Sequence, residues 1–170
     1  MINFNTNKNT QINLLFNNIL LLCRKRLFYT KFDLIDTFQN RINLIFVHIS
    51  FIFIKIKQNN KQKKFQQKLF DLVFEKIELN MREIGFGDTT INTNMKFLVK
   101  NFYNILLKCE KFRKMTSAEK NKFLSNYLKA NSIKITNNDG IIDYFNKYEA
   151  ICFDLSPDSV LSGELKFNYK

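Results

Sequence analysis

Apolar residues recur at helical spacing over most of this 170-residue chain. Phe70, Phe74, Ile77, Met81 and Ile84 advance by alternating steps of four and three, and Lys68, Asp71, Glu75, Glu78 and Arg82 take similar steps on the other side. The spacing predicts an amphipathic helix over 65–84 with a largely acidic stripe. A first helix is expected over 12–22, closed by Arg24, Lys25 and Arg26, whose charge suits a helix C-terminus. Leu27, Phe28 and Tyr29 then start a short connection. Asp36 and Gln39 have capping-box spacing and mark the start of the second long helix.

Between Ile42 and Ile56 the polar residues are Asn43, His48, Ser50 and Lys55, so this helix is apolar nearly all round and must be buried in protein or lipid. At ~1.5 Å per residue the segment reaches roughly 22 Å, short of the ~30 Å hydrocarbon core of a bilayer. A polar break over 58–64 leads into the 65–84 helix. A fourth helix is expected over 94–112 with Phe97, Leu98, Phe102, Ile105 and Leu106 inward. Thr116 and Glu119 form a second capping box before a fifth helix. Turn chemistry at 137–140 precedes a sixth helix over 141–153, and Ser156–Pro157 opens a short last helix that Gly163 ends. With one Pro and four Gly there is little turn chemistry for a β fold, so the expectation is an all-α, single-domain bundle of about six to seven helices. Residues 1–13 are expected to be a flexible tail and 14–170 the domain.

The net charge of +12 arises from 27 basic residues, 22 of them Lys, a skew typical of AT-rich coding. Its distribution is more telling: residues 1–68 carry 12 basic and 2 acidic groups, whereas 69–170 carry 15 and 13. Lys61, Lys63 and Lys64 head the expected basic surface, which suits anionic lipid headgroups or RNA, although a solvated charged face is the commoner origin of such runs. Cys23, Cys109 and Cys152 are too scattered for a disulfide framework or a CxxC metal site. A single histidine, His48, excludes multi-histidine metal centres and reads as a hydrogen-bonded core residue. Glu75, Glu78 and Glu83 read as a solvated or partner-binding stripe. No catalytic residue, metal or cofactor is expected, and no small-molecule substrate.

Two of the four glycines stand in Gly85-Phe86-Gly87-Asp88. Without a preceding strand or a GxxxxGK pattern, this is weak evidence for a phosphate loop. It reads instead as a helix stop, with Gly85 in a left-handed cap, Phe86 sent into the core, and Gly87 and Asp88 turning the chain into the next helix.

Leu69-Phe70-Asp71-Leu72-Val73-Phe74, Met81-Arg82-Glu83-Ile84-Gly85-Phe86-Gly87-Asp88, Met95-Lys96 and Phe102-Tyr103 stand in an order that resembles the central block of the ubiquinol–cytochrome c chaperone family. Phe28-Tyr29, Asp36-Thr37, Arg41 and His48 resemble its N-terminal half. Tyr148 and the Leu161–Phe167 segment resemble its close. The resemblance covers about 15–167. Departures are Asn104-Ile105 in place of glycine-arginine, Leu34-Ile35 in place of valine-proline, and Asn40 where glycine is usual.

The resemblance implies a non-enzymatic assembly factor of the cytochrome bc1 complex, of bacterial length, that holds newly made cytochrome b. Partners would include the ribosome or a small accessory protein, with peripheral membrane contact. The expected location is the bacterial cytoplasm, at the inner face of the inner membrane, or the mitochondrial matrix for an organellar member. Client or partner contacts are assigned to Asp71, Glu75, Glu78, Arg82, Glu83, Phe102 and Tyr103. The competing reading is a basic helical module that binds RNA or lipid at a membrane surface or ribosome.

Overall fold

The computed structural model describes residues 4–57, 62–131 and 139–169. Eight α-helices occur among them: α1 (Phe4–Cys23), α2 (Leu27–Thr30), α3 (Phe38–Lys57), α4 (Lys63–Ile84), α5 (Asp88–Cys109), α6 (Ser117–Tyr127), α7 (Asp139–Asp154) and α8 (Pro157–Leu161). Two of them, α2 and α8, are single turns. No strand forms among the described residues, only an isolated antiparallel bridge between Leu34 and Ala130. The chain is one all-α domain, as its periodicity predicts, and none of its described helices is long and apolar enough to cross a membrane.

The organising element is α3. Thirteen of its twenty residues are buried, and α1, α4, α5, α7 and α8 all pack against it. A helix apolar on every side can be stable in water only inside such a sleeve. Its buried polar groups are satisfied locally or by the sleeve. The Asn40 amide donates to the carbonyls of Ile35 and Lys129, both at 2.7 Å, and its oxygen accepts the Lys129 N–H at 2.9 Å. Asn43 donates to the Tyr127 carbonyl at 2.6 Å and accepts from Gln39 and Asn101. The Ser50 hydroxyl donates back to the Phe46 carbonyl. Among the described residues no buried side-chain nitrogen or oxygen lacks a partner.

His48 is the core histidine that its place in an apolar helix predicts. Nδ1 lies 2.7 Å from the Leu44 carbonyl and Nε2 lies 2.8 Å from the Tyr144 hydroxyl, while Phe28, Phe145 and Tyr148 surround the ring. Burial penalises the imidazolium and lowers its pKa from 6.5 to about 4, outweighing the hydrogen bond to the Leu44 carbonyl, which acts in the opposite direction.

Several local expectations are corrected. Helix α1 begins at Phe4 rather than Ile12, and Leu27–Thr30 is a helical turn rather than a plain connection. The cap of α3 is Thr37, whose hydroxyl accepts the Asn40 N–H at 3.2 Å. Asp36 instead grips the Arg41 guanidinium through both carboxylate oxygens, at 2.6 and 2.7 Å. The next helix starts at Asp88, not Asn94, and Phe97 faces outward at 60% exposure because the inward arc of α5 is filled by Ile91, Leu98, Phe102, Ile105 and Cys109. The Thr116–Glu119 capping box and the Ser156 cap with Pro157 at the first position are both present. Gly140 lies inside α7, while 137–138 fall outside the described residues.

The glycine corner separates into two cases. Gly85 has φ +98°, its N–H reaches the Arg82 carbonyl, and the Phe86 N–H reaches the Met81 carbonyl, the paired bonds of a Schellman stop. Gly87 has φ −73°, an extended angle open to any residue, and a Cβ there would meet nothing within 4 Å. Neither backbone angle nor space therefore requires glycine at position 87. Phe86 is 40% exposed, because the turn carries it past the end of the core rather than into it. Gly163 is needed twice over: φ is +79°, and a Cβ would sit 2.7 Å from the Gln11 carbonyl oxygen of α1.

Gly85→Ala should lower stability by about 1 kcal/mol, the cost of a left-handed alanine. Gly87→Ser, which supplies α5 with a capping hydroxyl, should raise it by a few tenths of a kcal/mol. Urea denaturation of the two variants checks both signs. His48 is neutral in the folded chain while the unfolded chain takes up a proton below its ordinary pKa of 6.5. Its contribution to stability is therefore complete above pH 6.5 and declines as pH falls towards about 4, by about 3 kcal/mol in total. Denaturant midpoints across that window, compared with those of His48→Gln, should show the slope lost in the variant.

Candidate functional site: a groove among three helices

Three helices each turn a stripe of residues at helical spacing into one groove. Phe16, Leu20 and Cys23 come from α1, Phe38, Ile42 and Ile45 from α3, and Ile77, Asn80 and Ile84 from α4, with Leu79 beside them. The groove is open to solvent and has a volume of about 840 Å³. The buried side chains of the lining are apolar, and polar groups make up nearly half of its open surface. Leu79 and Ile84 remain 44% and 57% exposed, so the apolar lining continues out to the surface.

The charged residues of the lining, Arg24, Asp36, Arg41, Lys76 and Glu83, are all exposed to solvent, and the half-buried Tyr29 joins them. The Arg41 guanidinium beside Asp36 holds that carboxyl below its usual range. Burial, reinforced by the Asp36 carboxylate, raises the Tyr29 hydroxyl. Asp36 and Arg41 neutralise one another, which leaves a hydrogen-bonding edge with little net charge. Cys23, the one thiol in the lining, is pushed far above its ordinary pKa by burial. It is an apolar wall residue and not a nucleophile.

The residues expected at the site divide into groups. Glu83 lines the groove. Asp71 and Glu75 stand on the exposed face of α4, with the Gln67 amide on Asp71 at 2.7 Å. Arg82 binds Glu78 at 2.8 Å and Asp88 at 2.5 Å, a surface clasp across the α4–α5 corner. Lys63 and Lys64 are exposed in the first turn of α4, and Lys61 lies outside the described residues. Phe102 requires correction as a contact residue. It is 1% exposed, packed among Phe46, Phe53, Phe70 and Phe74, because α5 buries that arc against α3 and α4. Tyr103 is half exposed, its ring 6.0 Å from that of Phe70.

Sequence reading missed Phe16, Leu20, Ile45 and Leu79. One signal was present: Leu79 interrupts the polar side of α4, an apolar residue out of phase with the stripe that faces the core. The others lie on helices whose neighbours only the fold reveals. Tyr29, Asp36 and Arg41, three positions on which the N-terminal resemblance rests, converge on the groove margin, and Phe28 and His48 pack beneath them with ring centroids 6.0 Å apart.

No curated protein matches the chain by sequence. Among solved structures, the crystal structure of the Cbp3 homolog from Brucella abortus superposes with a TM-score of 0.84 at 17% identity, over 96% of this chain and 92% of that one. At that identity the likeness establishes a shared fold. The family model for the ubiquinol–cytochrome C chaperone matches residues 30–167, a span running from α2 to the C-terminal segment against α1 and including two of the three helices that line the groove. With the match extending over most of its length, this chain belongs to the ubiquinol–cytochrome c chaperone family.

Proposed function

We propose that this protein is a non-enzymatic chaperone for assembly of the ubiquinol–cytochrome c reductase complex and that its groove holds an apolar helix of newly made cytochrome b. The observation that carries the reading is the groove itself. Its buried apolar lining comes from three helices, apolar residues continue to the surface at Leu79 and Ile84, and its charged residues are exposed to solvent. Helix-in-groove recognition needs such apolar contacts for anchors spaced three or four residues apart, with polar groups at the edge to set orientation. A newly made membrane segment supplies apolar anchors in abundance and must be shielded from water until it is inserted.

The margin offers both signs of charge, Arg24 and Lys76 against Glu83, so the polar flanks of a client helix find partners in either orientation. The exposed stripe of Asp71, Glu75 and the Glu78–Arg82–Asp88 clasp lies outside the groove lining and is assigned to contact with the client's polar segments or an accessory protein. A non-catalytic role accords with the site chemistry. The thiol in the lining is held protonated, and the only histidine is buried in its neutral form with both ring nitrogens engaged.

Leu79→Glu combined with Ile84→Glu places two carboxylates in the apolar mouth without disturbing a fully buried side chain. Affinity purification from native membranes should recover cytochrome b at least about tenfold less with this variant, the equivalent of about 1.4 kcal/mol, at an unchanged melting temperature. Undiminished recovery of cytochrome b with a folded double variant would refute the groove as the client site.

A further inference from the structure

The outward face of α5 has a composition that neither the core nor the groove explains. Phe97, Tyr103 and Leu107 are 60%, 50% and 57% exposed, and exposed Lys96, Lys100 and Lys108 interleave with them. Phe97, Lys100 and Leu107 follow spacings of three and seven, which places them on one side of the helix, opposite the buried arc of Ile91, Leu98, Phe102 and Ile105. The apolar residues extend over ~15 Å of helix axis from Phe97 to Leu107. No acidic residue occurs from Thr89 to Lys108, in contrast to α4, whose exposed side carries Asp71, Glu75 and Glu83. The nearest carboxylates at its two ends are engaged elsewhere, Asp88 with Arg82 and Glu110 with Lys57. No residue of α5 lines the groove.

We propose that this face of α5 docks the protein on an anionic lipid surface. Large apolar side chains at helical spacing, flanked by lysines and free of carboxylates, match the interfacial mode. Phe97 and Leu107 enter the acyl–headgroup boundary, Tyr103 lies at headgroup level with its hydroxyl in water, and the lysines meet lipid phosphates. Charge complementarity selects this occupant. A protein helix or a second copy of this chain would have to match a uniformly cationic face with acidic groups, whereas an anionic leaflet presents negative charge continuously and each lysine near it adds to the attraction. The site is separate from the groove, so the inference holds whatever the groove binds.

Co-sedimentation of the full chain with phosphatidylcholine vesicles, with and without phosphatidylglycerol, tests it. Binding is expected only when the anionic lipid is present, and it should weaken as salt is raised. Lys96→Gln/Lys100→Gln/Lys108→Gln should reduce partitioning at least about tenfold. Phe97→Ser/Leu107→Ser should reduce it by about tenfold while leaving the salt dependence in place. The off-face set Lys122→Gln/Lys129→Gln/Lys166→Gln, exposed and equal in charge, serves as the control. Circular dichroism melts unchanged from the parent chain establish that each variant is folded. The proposal is overturned if the parent chain does not bind anionic vesicles, if the α5 variants bind as well as the parent, or if the control lowers binding as much as the α5 lysine set. Self-association that Phe97→Ser/Leu107→Ser abolishes, without vesicle binding, would reassign the face to a protein interface. Cytochrome b recovery is read separately, through Leu79 and Ile84.

Discussion

Everything in this molecule is arranged around the need to keep α3 out of water. The helix is apolar on all sides, so no single partner can cover it, and five other helices close round it instead. Nondirectional burial would leave the azimuth and height of each covering helix loosely set. The buried polar atoms of α3 remove that freedom. Asn40 grips the backbone at Ile35 and Lys129, Asn43 the end of α6 and Asn101 of α5, and His48 the Tyr144 hydroxyl of α7. Each bond has one register in which it forms, and a slipped packing would leave a buried polar group unsatisfied.

The same logic holds at the entry of α3. The Ile35 N–H reaches the Lys129 carbonyl at 3.0 Å. Asn40 binds the same residue through its side chain. Together they tie the entry of α3 to the segment after α6. Ile105 is fully buried on the core side of α5 and belongs to the packing.

The groove follows from how the sleeve closes. At the α1–α3–α4 junction, side chains suited to core packing line open space, and the charged residues of the lining are exposed to solvent. On the opposite flank of α4, α5 packs tightly and sends Phe102 into an aromatic cluster, which leaves its outer surface to other uses. The same fold thus has an apolar recess on one side and a cationic, aromatic face on α5.

Helix identity, the burial of α3, the hydrogen-bonded core role of His48, the stop at Gly85 and the capping box at Thr116 could all be read from the sequence. Each depends on residues within a few positions of one another, where periodicity and backbone angle act directly. Thr37 rather than Asp36 as the cap was misread because the two neighbours have equivalent local chemistry, and the Arg41 guanidinium takes up Asp36 and leaves the cap to Thr37. Phe97 and Phe102 show the same limit: both are apolar residues of one helix, and only the placement of α3 and α4 decides which of them is buried. The groove is the extreme case. Its walls come from segments up to sixty-eight positions apart, Phe16 to Ile84, and a cavity between helices exists only once their packing angles are set. The sequence by itself determined which stretches are helical and which faces must leave water; the tertiary structure alone decided which of those faces were covered, because coverage depends on neighbours that the chain brings together only by folding.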